Sequence, residues 1–142
     1  MLTDQLRIVL GSSKVFSFKA LTFHWNVVGP NFHQYHDFFG DLYKEVDGSI
    51  DRLAESIRLL DEMAPTSLSD LIKLSVIKEN YGSATPASMF QELLDDNDAI
   101  LKALMEAYEA ADEEEQEGHS NMLAERMEAH QKHGWKLRSL LK

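Results

Sequence analysis

Two histidines and two carboxylates in the first half of the chain have the residue types and the spacing of a metal-binding site. His24 precedes and His36 follows a Gly-Pro-Asn break at residues 29–31, where glycine ends one helix and asparagine caps the next. A short hairpin of two antiparallel helices at this break would place the two imidazoles opposite each other. Asp51 and Glu55 are spaced i,i+4 and share one helical face. Together the four side chains form a mixed nitrogen and oxygen ligand set that suits iron or zinc.

The distance along the chain divides these ligands into two pairs. His36 and Asp51 are 15 residues apart on what the pattern predicts as one helix, which at about 1.5 Å per residue is roughly 22 Å. One ion cannot bridge that length. A second copy of the chain, lying antiparallel across the first and centred near Tyr43 and Lys44, would bring its carboxylates to the imidazoles. The spacing therefore predicts a two-fold homodimer with the metal at its seam.

Further polar residues lie near these ligands or repeat their pattern. Asp47 lies one turn before the carboxylate pair, either as a ligand or as a solvated or salt-bridging side chain. His33 lies one turn before His36 and is a further candidate ligand. His130 and His133 form an i,i+3 pair, but no carboxylate motif accompanies them in the sequence. We therefore interpret this second pair as packing residues of the last helix.

Several separated blocks of the sequence resemble, in order and spacing, the Dps family of mini-ferritins, the DNA-binding proteins from starved cells. They include Phe-His-Trp-Asn-Val at residues 23–27, the Gly-Pro-Asn-Phe turn, the second histidine and the Asp-x-x-x-Glu pair, and they continue through residues 73–79 and 132–138. The resemblance covers nearly the whole chain. It implies an all-α fold, a ferritin-like four-helix bundle with a short extra helix between helices B and C, in which residues 1–142 form a single domain.

The same resemblance implies a function. Members of the family assemble as hollow dodecamers of two-fold dimers, oxidise Fe(II) at sites between subunits, usually with hydrogen peroxide, and store the ferric product. Carried over residue by residue, His24 and His36 would bind iron from one subunit, and Asp51 and Glu55 from its two-fold mate, with zinc as another possible occupant. Trp25 would pack at the interface and take up oxidising equivalents. Removal of iron and peroxide would protect against oxidative damage.

Gly40 departs from the family pattern, which usually has Asp or Glu one turn after the second histidine. Glycine supplies no ligand, and it destabilises a helix interior by about 1 kcal/mol relative to alanine. Asp41 points roughly 100° away around the helix, and Asp37 and His33 are nearby substitutes. The site then has fewer ligands, a substitute ligand or a lower metal affinity. An alternative function follows, a Dps-like shell with an impaired ferroxidase site that acts as a structural or DNA-associated protective protein. A large gain in iron oxidation on Gly40→Asp would indicate such an impaired site.

Charge and composition restrict the partners. The chain has 14 basic and 24 acidic residues, a formal net charge of −10, so a dodecamer would carry on the order of −120. This charge, with no basic tail before the first predicted helix, argues against direct DNA binding, which depends on Lys and Arg contacts to phosphate. The absence of cysteine suits a reducing cytoplasm. No apolar run approaches the ~20 residues of a membrane span.

An ordinary ferritin or bacterioferritin is the competing interpretation. Such proteins build a di-iron centre inside one bundle, typically with Glu-x-x-His motifs. No histidine of this chain has a glutamate three residues before it, so the sequence disfavours that site.

The helical pattern predicts four long helices and a short one. Their ranges are 3–28 (helix A), 31–61 (helix B), 68–75 (the short helix), 86–112 (helix C) and 119–140 (helix D), with a loop over 81–86. Helix B directs several apolar residues to the core, Phe32 and Phe39 among them. The acidic run at residues 112–117 is a solvated helix end or, as the resemblance implies, part of a three-fold pore, with Glu113, Glu114 and Glu117 as candidates on the Fe(II) entry route.

Overall fold

The computed structural model describes residues 1–80 and 85–142, and these residues form six α-helices and no β-strand. The helices are α1 (Leu2–Asn26), α2 (Phe32–Asp47), α3 (Ile50–Arg58), α4 (Leu68–Leu74), α5 (Pro86–Glu113) and α6 (Glu117–Leu140). α1 packs against α2, α3, α4 and α5, and α5 packs against α6. The predicted all-α bundle with a short extra helix is confirmed. Most of the predicted loop over 81–86 lies outside the described residues.

The predicted single helix over 31–61 is wrong, because the structure has two helices there. The interruption falls at Gly48 and Ser49, whose backbone angles stay close to helical. The backbone N–H of Ser49 donates to the carbonyl of Val46 at 3.0 Å, three residues back, and its hydroxyl donates to the same oxygen at 2.6 Å. This tightened turn replaces the regular i→i−4 ladder. The break lies between the helix that carries His36 and the helix that carries Asp51 and Glu55.

The turn between α1 and α2 is set by its residue types. Val27 is extended and Gly29 has a φ of +125°, a conformation that side chains other than glycine rarely adopt. Asn31 occupies the predicted N-cap position, but its side chain makes no capping hydrogen bond. The turn brings α2 back along α1, so that the end of one helix faces the beginning of the next.

Aromatic rings hold α2 against the rest of the bundle. Phe39 is fully buried, and its ring stacks on Phe90 of α5 at 5.3 Å and meets the edge of Phe23 of α1 at 5.7 Å. Full burial of one such side chain stabilises the fold by about 2–3 kcal/mol. The core position predicted for Phe32 is wrong: its side chain is 41% exposed and stacks on His36 instead.

A buried lysine fixes α1 against α5. Lys19 is 5% exposed, and its Nζ lies 2.5 Å from Asp96 and 2.7 Å from Glu92, both on α5. The same ammonium donates to the carbonyl of Lys78 at 2.9 Å. Burial raises the pKa of Asp96, and the contact with Lys19 partly opposes this rise. These contacts determine where the last turns of α1 lie.

None of the helices formed by residues 1–80 and 85–142 is both long enough and apolar enough to cross a bilayer.

Candidate metal centre

The imidazoles of His24 and His36 lie against each other where α1 meets α2. Their ring centroids are 3.8 Å apart and the ring planes are inclined by 15°. Both side chains are partly buried. The predicted facing of the two imidazoles across the hairpin is therefore confirmed, although their role as metal ligands stays a prediction.

Each histidine is held by the main chain of the other. Nδ1 of His24 lies 2.6 Å from the carbonyl oxygen of His36, and Nδ1 of His36 lies 2.7 Å from the carbonyl oxygen of His24. A carbonyl only accepts, so each Nδ1 carries the proton and donates it. In a neutral ring, Nε2 then holds the lone pair, and neither Nε2 makes a hydrogen bond within the described residues. This tautomer and ring orientation are those of a metal-binding histidine.

Two neighbours enclose the histidine pair. The ring of Phe32 stacks on His36 at a centroid distance of 5.0 Å. Gly40 lies beneath His24, and a β-carbon at this position would be 2.8 Å from Cε1 and 2.9 Å from Nδ1 of that ring. Trp25 is 58% exposed and meets the edge of Phe18 at 6.2 Å.

Asp51 and Glu55 form the second pair, in the first two turns of α3. Both side chains are exposed, and the i,i+4 spacing brings their carboxyl groups within hydrogen-bonding reach of each other. The hydrogen bond with Asp51 raises the pKa of Glu55, and the negative charge of Asp51 raises it further. Two carboxylates that repel each other in this way would be stabilised by a cation.

The chain does not bring the imidazole pair and the carboxylate pair together. Within residues 1–80 and 85–142 no three His, Cys, Asp or Glu side chains are grouped so as to hold a metal ion. The four predicted ligands thus stand as two half-sites on α1–α2 and on α3.

The two further candidate ligands have other neighbours. Asp47 is paired with Lys14 of α1 at 3.6 Å, which favours its salt-bridging interpretation. His33 is 89% exposed and lies 3.5 Å from Asp37, one turn along α2. Neither residue has a contact with the histidine pair among the contacts found in the described part of the chain.

His133 is buried in α6, as its interpretation as a packing residue predicts, and the fold also gives it a carboxylate partner, Glu45 of α2. Nε2 of His133 donates to Glu45 at 2.6 Å, across 88 residues of sequence. The guanidinium of Arg126 donates to both oxygens of the same carboxylate, at 2.6 and 3.0 Å. Burial disfavours the charged form of Glu45, but these hydrogen bonds outweigh it and hold its pKa well below the usual range. Sequence spacing carries no signal for a pair so far apart.

His130 extends this network into the core. Its Nδ1 donates to the side-chain oxygen of Asn97 at 2.8 Å, and its Nε2 accepts from Arg126 at 3.2 Å. The amide of Asn97 donates in turn to the carbonyl of His130. Burial and the positive charge of Arg126 lower the pKa of His130 from 6.5 to about 3. Both ring nitrogens are therefore engaged, and none is left for a metal ion.

In the acidic run at residues 112–117, where α5 meets α6, at least one carboxylate is engaged by the protein itself. Glu114 accepts a hydrogen bond at 2.8 Å from the backbone N–H of Leu2 and so serves the beginning of α1, whose first amides have no partner within the helix. Glu113 and Glu117 are exposed. Glu114 is thus the weakest of the three candidates for a cation entry route.

Comparison with known proteins identifies the family. Residues 3–142 match the ferritin-like domain of the ferritin family. The chain is 34% identical, over 87% of its length and 83% of the relative, to the DNA protection during starvation protein of Brevibacillus brevis. The crystal structure of Dps from Staphylococcus aureus superimposes with a TM-score of 0.95 at 29% identity, covering 99% of this chain and 95% of that one.

A third match concerns the metal. The Dps protein of Vibrio cholerae O1, described as a member of a broad superfamily of ferritin-like diiron-carboxylate proteins, gives a TM-score of 0.95 at 30% identity, covering 99% of this chain and 89% of that one. Fold, motif blocks and relatives agree, and the chain belongs to the Dps mini-ferritin family of ferritin-like proteins.

Proposed function

We propose that this protein oxidises Fe(II) with hydrogen peroxide at sites between its subunits and stores the ferric product inside a hollow shell. The observation that carries the proposal is the reciprocal hydrogen bonding of His24 and His36, in which each Nδ1–H donates to the main-chain carbonyl of the other residue and each Nε2 lone pair is left for a metal. Packing alone does not require two adjacent imidazoles to be held in this tautomer.

The proposed site joins the two half-sites across a two-fold axis. His24 and His36 of one subunit supply nitrogen ligands, and Asp51 and Glu55 of a second subunit supply oxygen ligands and negative charge. Such a mixed set suits Fe(II). We propose iron rather than zinc as the natural substrate because a structurally similar relative is described as a diiron-carboxylate protein.

The reaction consumes both reactants of hydroxyl-radical chemistry. Two Fe(II) ions each give one electron to one hydrogen peroxide molecule, its O–O bond breaks, and two protons complete two water molecules. The protein contributes ligands that bind the ions and carboxylates that offset the growing positive charge. Protection against oxidative damage follows from removing iron and peroxide together.

The assembly and the location belong to the same proposal. A dodecamer of two-fold dimers would enclose the ferric store and complete every site. The acidic chain, with a net charge of −10, makes direct DNA binding unfavourable. We propose a cytoplasmic location, with which the absence of cysteine is compatible.

The decisive experiment is iron retention. Fe(II) is added to the purified protein without oxygen, hydrogen peroxide is injected, and the iron that co-elutes with protein on a sizing column is measured. We expect many irons per chain for the wild type and a large loss for His24→Ala. His33→Ala is the matched control, since its ring is exposed and lies outside the pair. An intact shell that retains almost no iron would contradict the proposal and favour the alternative of a structural protective shell.

Subunit complementation tests the shared site. In a mixed dimer of His24→Ala and Glu55→Ala chains, one site carries both defects and the other carries none. Random pairing of the two variants should therefore restore about a quarter of the wild-type sites. No restoration on co-assembly, with each variant inactive alone, would show that the four ligands act within one chain.

A further inference from the structure

We infer that Gly40 is a positioning residue: the absence of a side chain there leaves the space that the imidazole of His24 occupies. A side chain at this position, a carboxylate included, would displace His24 rather than add a ligand. The consequence for iron rests on the proposed function, whereas the placement of the ring does not.

The contact distances carry the inference. A β-carbon on Gly40 would lie 2.8 Å from Cε1, 2.9 Å from Nδ1 and 3.6 Å from Nε2 of His24. The first two distances are shorter than any ordinary contact between a β-carbon and another heavy atom. Gly40 is itself buried, so solvent does not offer the new group another place. The ring of His24 or the axis of α2 would have to move.

The ring of His24 is fixed by bonds that such a movement breaks. Its Nδ1 is 2.6 Å from the carbonyl of His36, and its plane stacks on the imidazole of His36 at 3.8 Å. His36 in turn donates to the main-chain carbonyl of His24, which stays in place when only the ring moves. A side chain at position 40 therefore acts on His24 and not on His36. It breaks the hydrogen bond from Nδ1 of His24 to the carbonyl, and Nε2 of His24 is then no longer held in one direction.

This inference predicts the outcome of Gly40→Asp, which the sequence leaves open. From the sequence pattern, Gly40 is a position without its usual ligand, and a large gain in iron oxidation on Gly40→Asp would indicate an impaired site. In the structure, the space next to Gly40 is already filled by the imidazole of His24. The departure from the family pattern is thus an adjustment of the site and not by itself a sign that the site is lost.

The first test uses the metal-free protein and does not depend on iron chemistry. Tm is measured for Gly40→Ala in the wild type and in a His24→Ala background. Alanine favours a helix interior over glycine, so we expect Gly40→Ala to raise Tm where the ring is absent and to lower it where the ring is present. Gly118→Ala, where a β-carbon meets nothing within 4 Å, is the control and should change Tm equally in both backgrounds. Equal Tm changes for Gly40→Ala in the two backgrounds would overturn the inference.

The second test uses Co(II) as a redox-silent probe, read from its visible absorption, together with the initial rate of Fe(II) oxidation. We expect Gly40→Ala to weaken Co(II) binding at least about 10-fold and to change the spectrum, as losing the hydrogen-bond partner of a ligating histidine does. Gly40→Asp should oxidise Fe(II) more slowly than the wild type, and Gly118→Ala should match it. A rate for Gly40→Asp at or above that of the wild type would overturn the inference. A wild type that neither binds Co(II) nor oxidises Fe(II) would reject the proposed function, while the Tm comparison would still decide the role of Gly40.

Discussion

Two pairs of histidines have their rings in contact, one where α1 meets α2 and one on α6, and the two pairs use their nitrogens differently. The rings of His24 and His36 are stacked, and each Nδ1 donates to a main-chain carbonyl while Nε2 has no protein partner in the described residues. The rings of His130 and His133 meet edge to face at 5.4 Å, and side chains of the bundle engage them.

The difference shows why proximity of histidines does not by itself indicate a metal site. In the α1–α2 pair the main chain fixes the tautomer, and neither Nε2 has a hydrogen-bond partner within the described residues. In the α6 pair, Asn97 and Arg126 take both nitrogens of His130, and Glu45 takes Nε2 of His133. The first arrangement leaves both Nε2 atoms without a protein partner in the described residues. In the second, the ring nitrogens make hydrogen bonds that join α6 to α5 and α2 and so stabilise the bundle.

Removing one histidine from each pair should give the largest difference between the two pairs, in Co(II) affinity and in the free energy of unfolding. We expect His36→Ala to weaken Co(II) binding by more than about 100-fold, because losing only a partner of a ligating histidine already costs 10–100-fold. His133→Ala should leave Co(II) affinity unchanged and lower the free energy of unfolding. Titration of Co(II) and thermal unfolding of both variants check this. Weaker Co(II) binding by folded His133→Ala would contradict the conclusion that the α6 pair binds no metal.

The second-largest effect should come from removing the carboxylate of Glu45, which joins α2 to α6 and stabilises the fold. Glu45→Ala leaves Arg126, only 11% exposed, without its bidentate partner. Breaking a fully buried pair costs 3–5 kcal/mol, and since Glu45 is 40% exposed we expect about 2 kcal/mol. Denaturant unfolding of the metal-free protein measures the change. Arg126→Ala together with Glu45→Ala should cost less than the sum of the single changes, and strict additivity would contradict a shared network.

The buried histidine should make stability depend on pH. Folding keeps His130 neutral down to a pKa of about 3, whereas in the unfolded chain it takes up a proton near 6.5. Because the unfolded state binds more protons, stability falls as pH drops below 6.5, by up to about 1.4 kcal/mol per pH unit until the folded pKa is reached. Protonation of Glu45, whose pKa is held low in the folded state, adds to the loss below 4.5. Unfolding of the wild type and His130→Gln from pH 7.5 to 5 tests this, and parallel curves would refute the assignment to His130.

A surface ion pair should have the smallest effect. Arg52 lies 2.6 Å from Glu125, but both side chains are more than 60% exposed. Such pairs contribute about 0.2–1 kcal/mol, so Arg52→Ala should change the free energy of unfolding by less than about 1 kcal/mol. A loss as large as that of Glu45→Ala would show that exposure does not separate the two ion pairs.

Much of the fold was predictable because helical periodicity and turn residues are local signals. The Gly-Pro-Asn break gave the α1–α2 hairpin and the facing histidines, and the i,i+4 spacing gave the carboxylate pair on α3. The interruption at Gly48 and Ser49 was missed because the apolar pattern continues across it, and only the hydrogen bonds to Val46 show it. The exposure of Phe32 was missed because an aromatic residue in a helix is usually buried.

The sequence by itself determined the helical class, the family and the four residues proposed to bind iron, since these depend on spacing along the chain. Tertiary structure decided what each group contacts: the carbonyls that orient His24 and His36, the ring that fills the space at Gly40, and the carboxylate of Glu45 that engages His133. The physical reason is that these contacts join atoms from different helices. Their distances follow from how the helices pack, which no local pattern encodes.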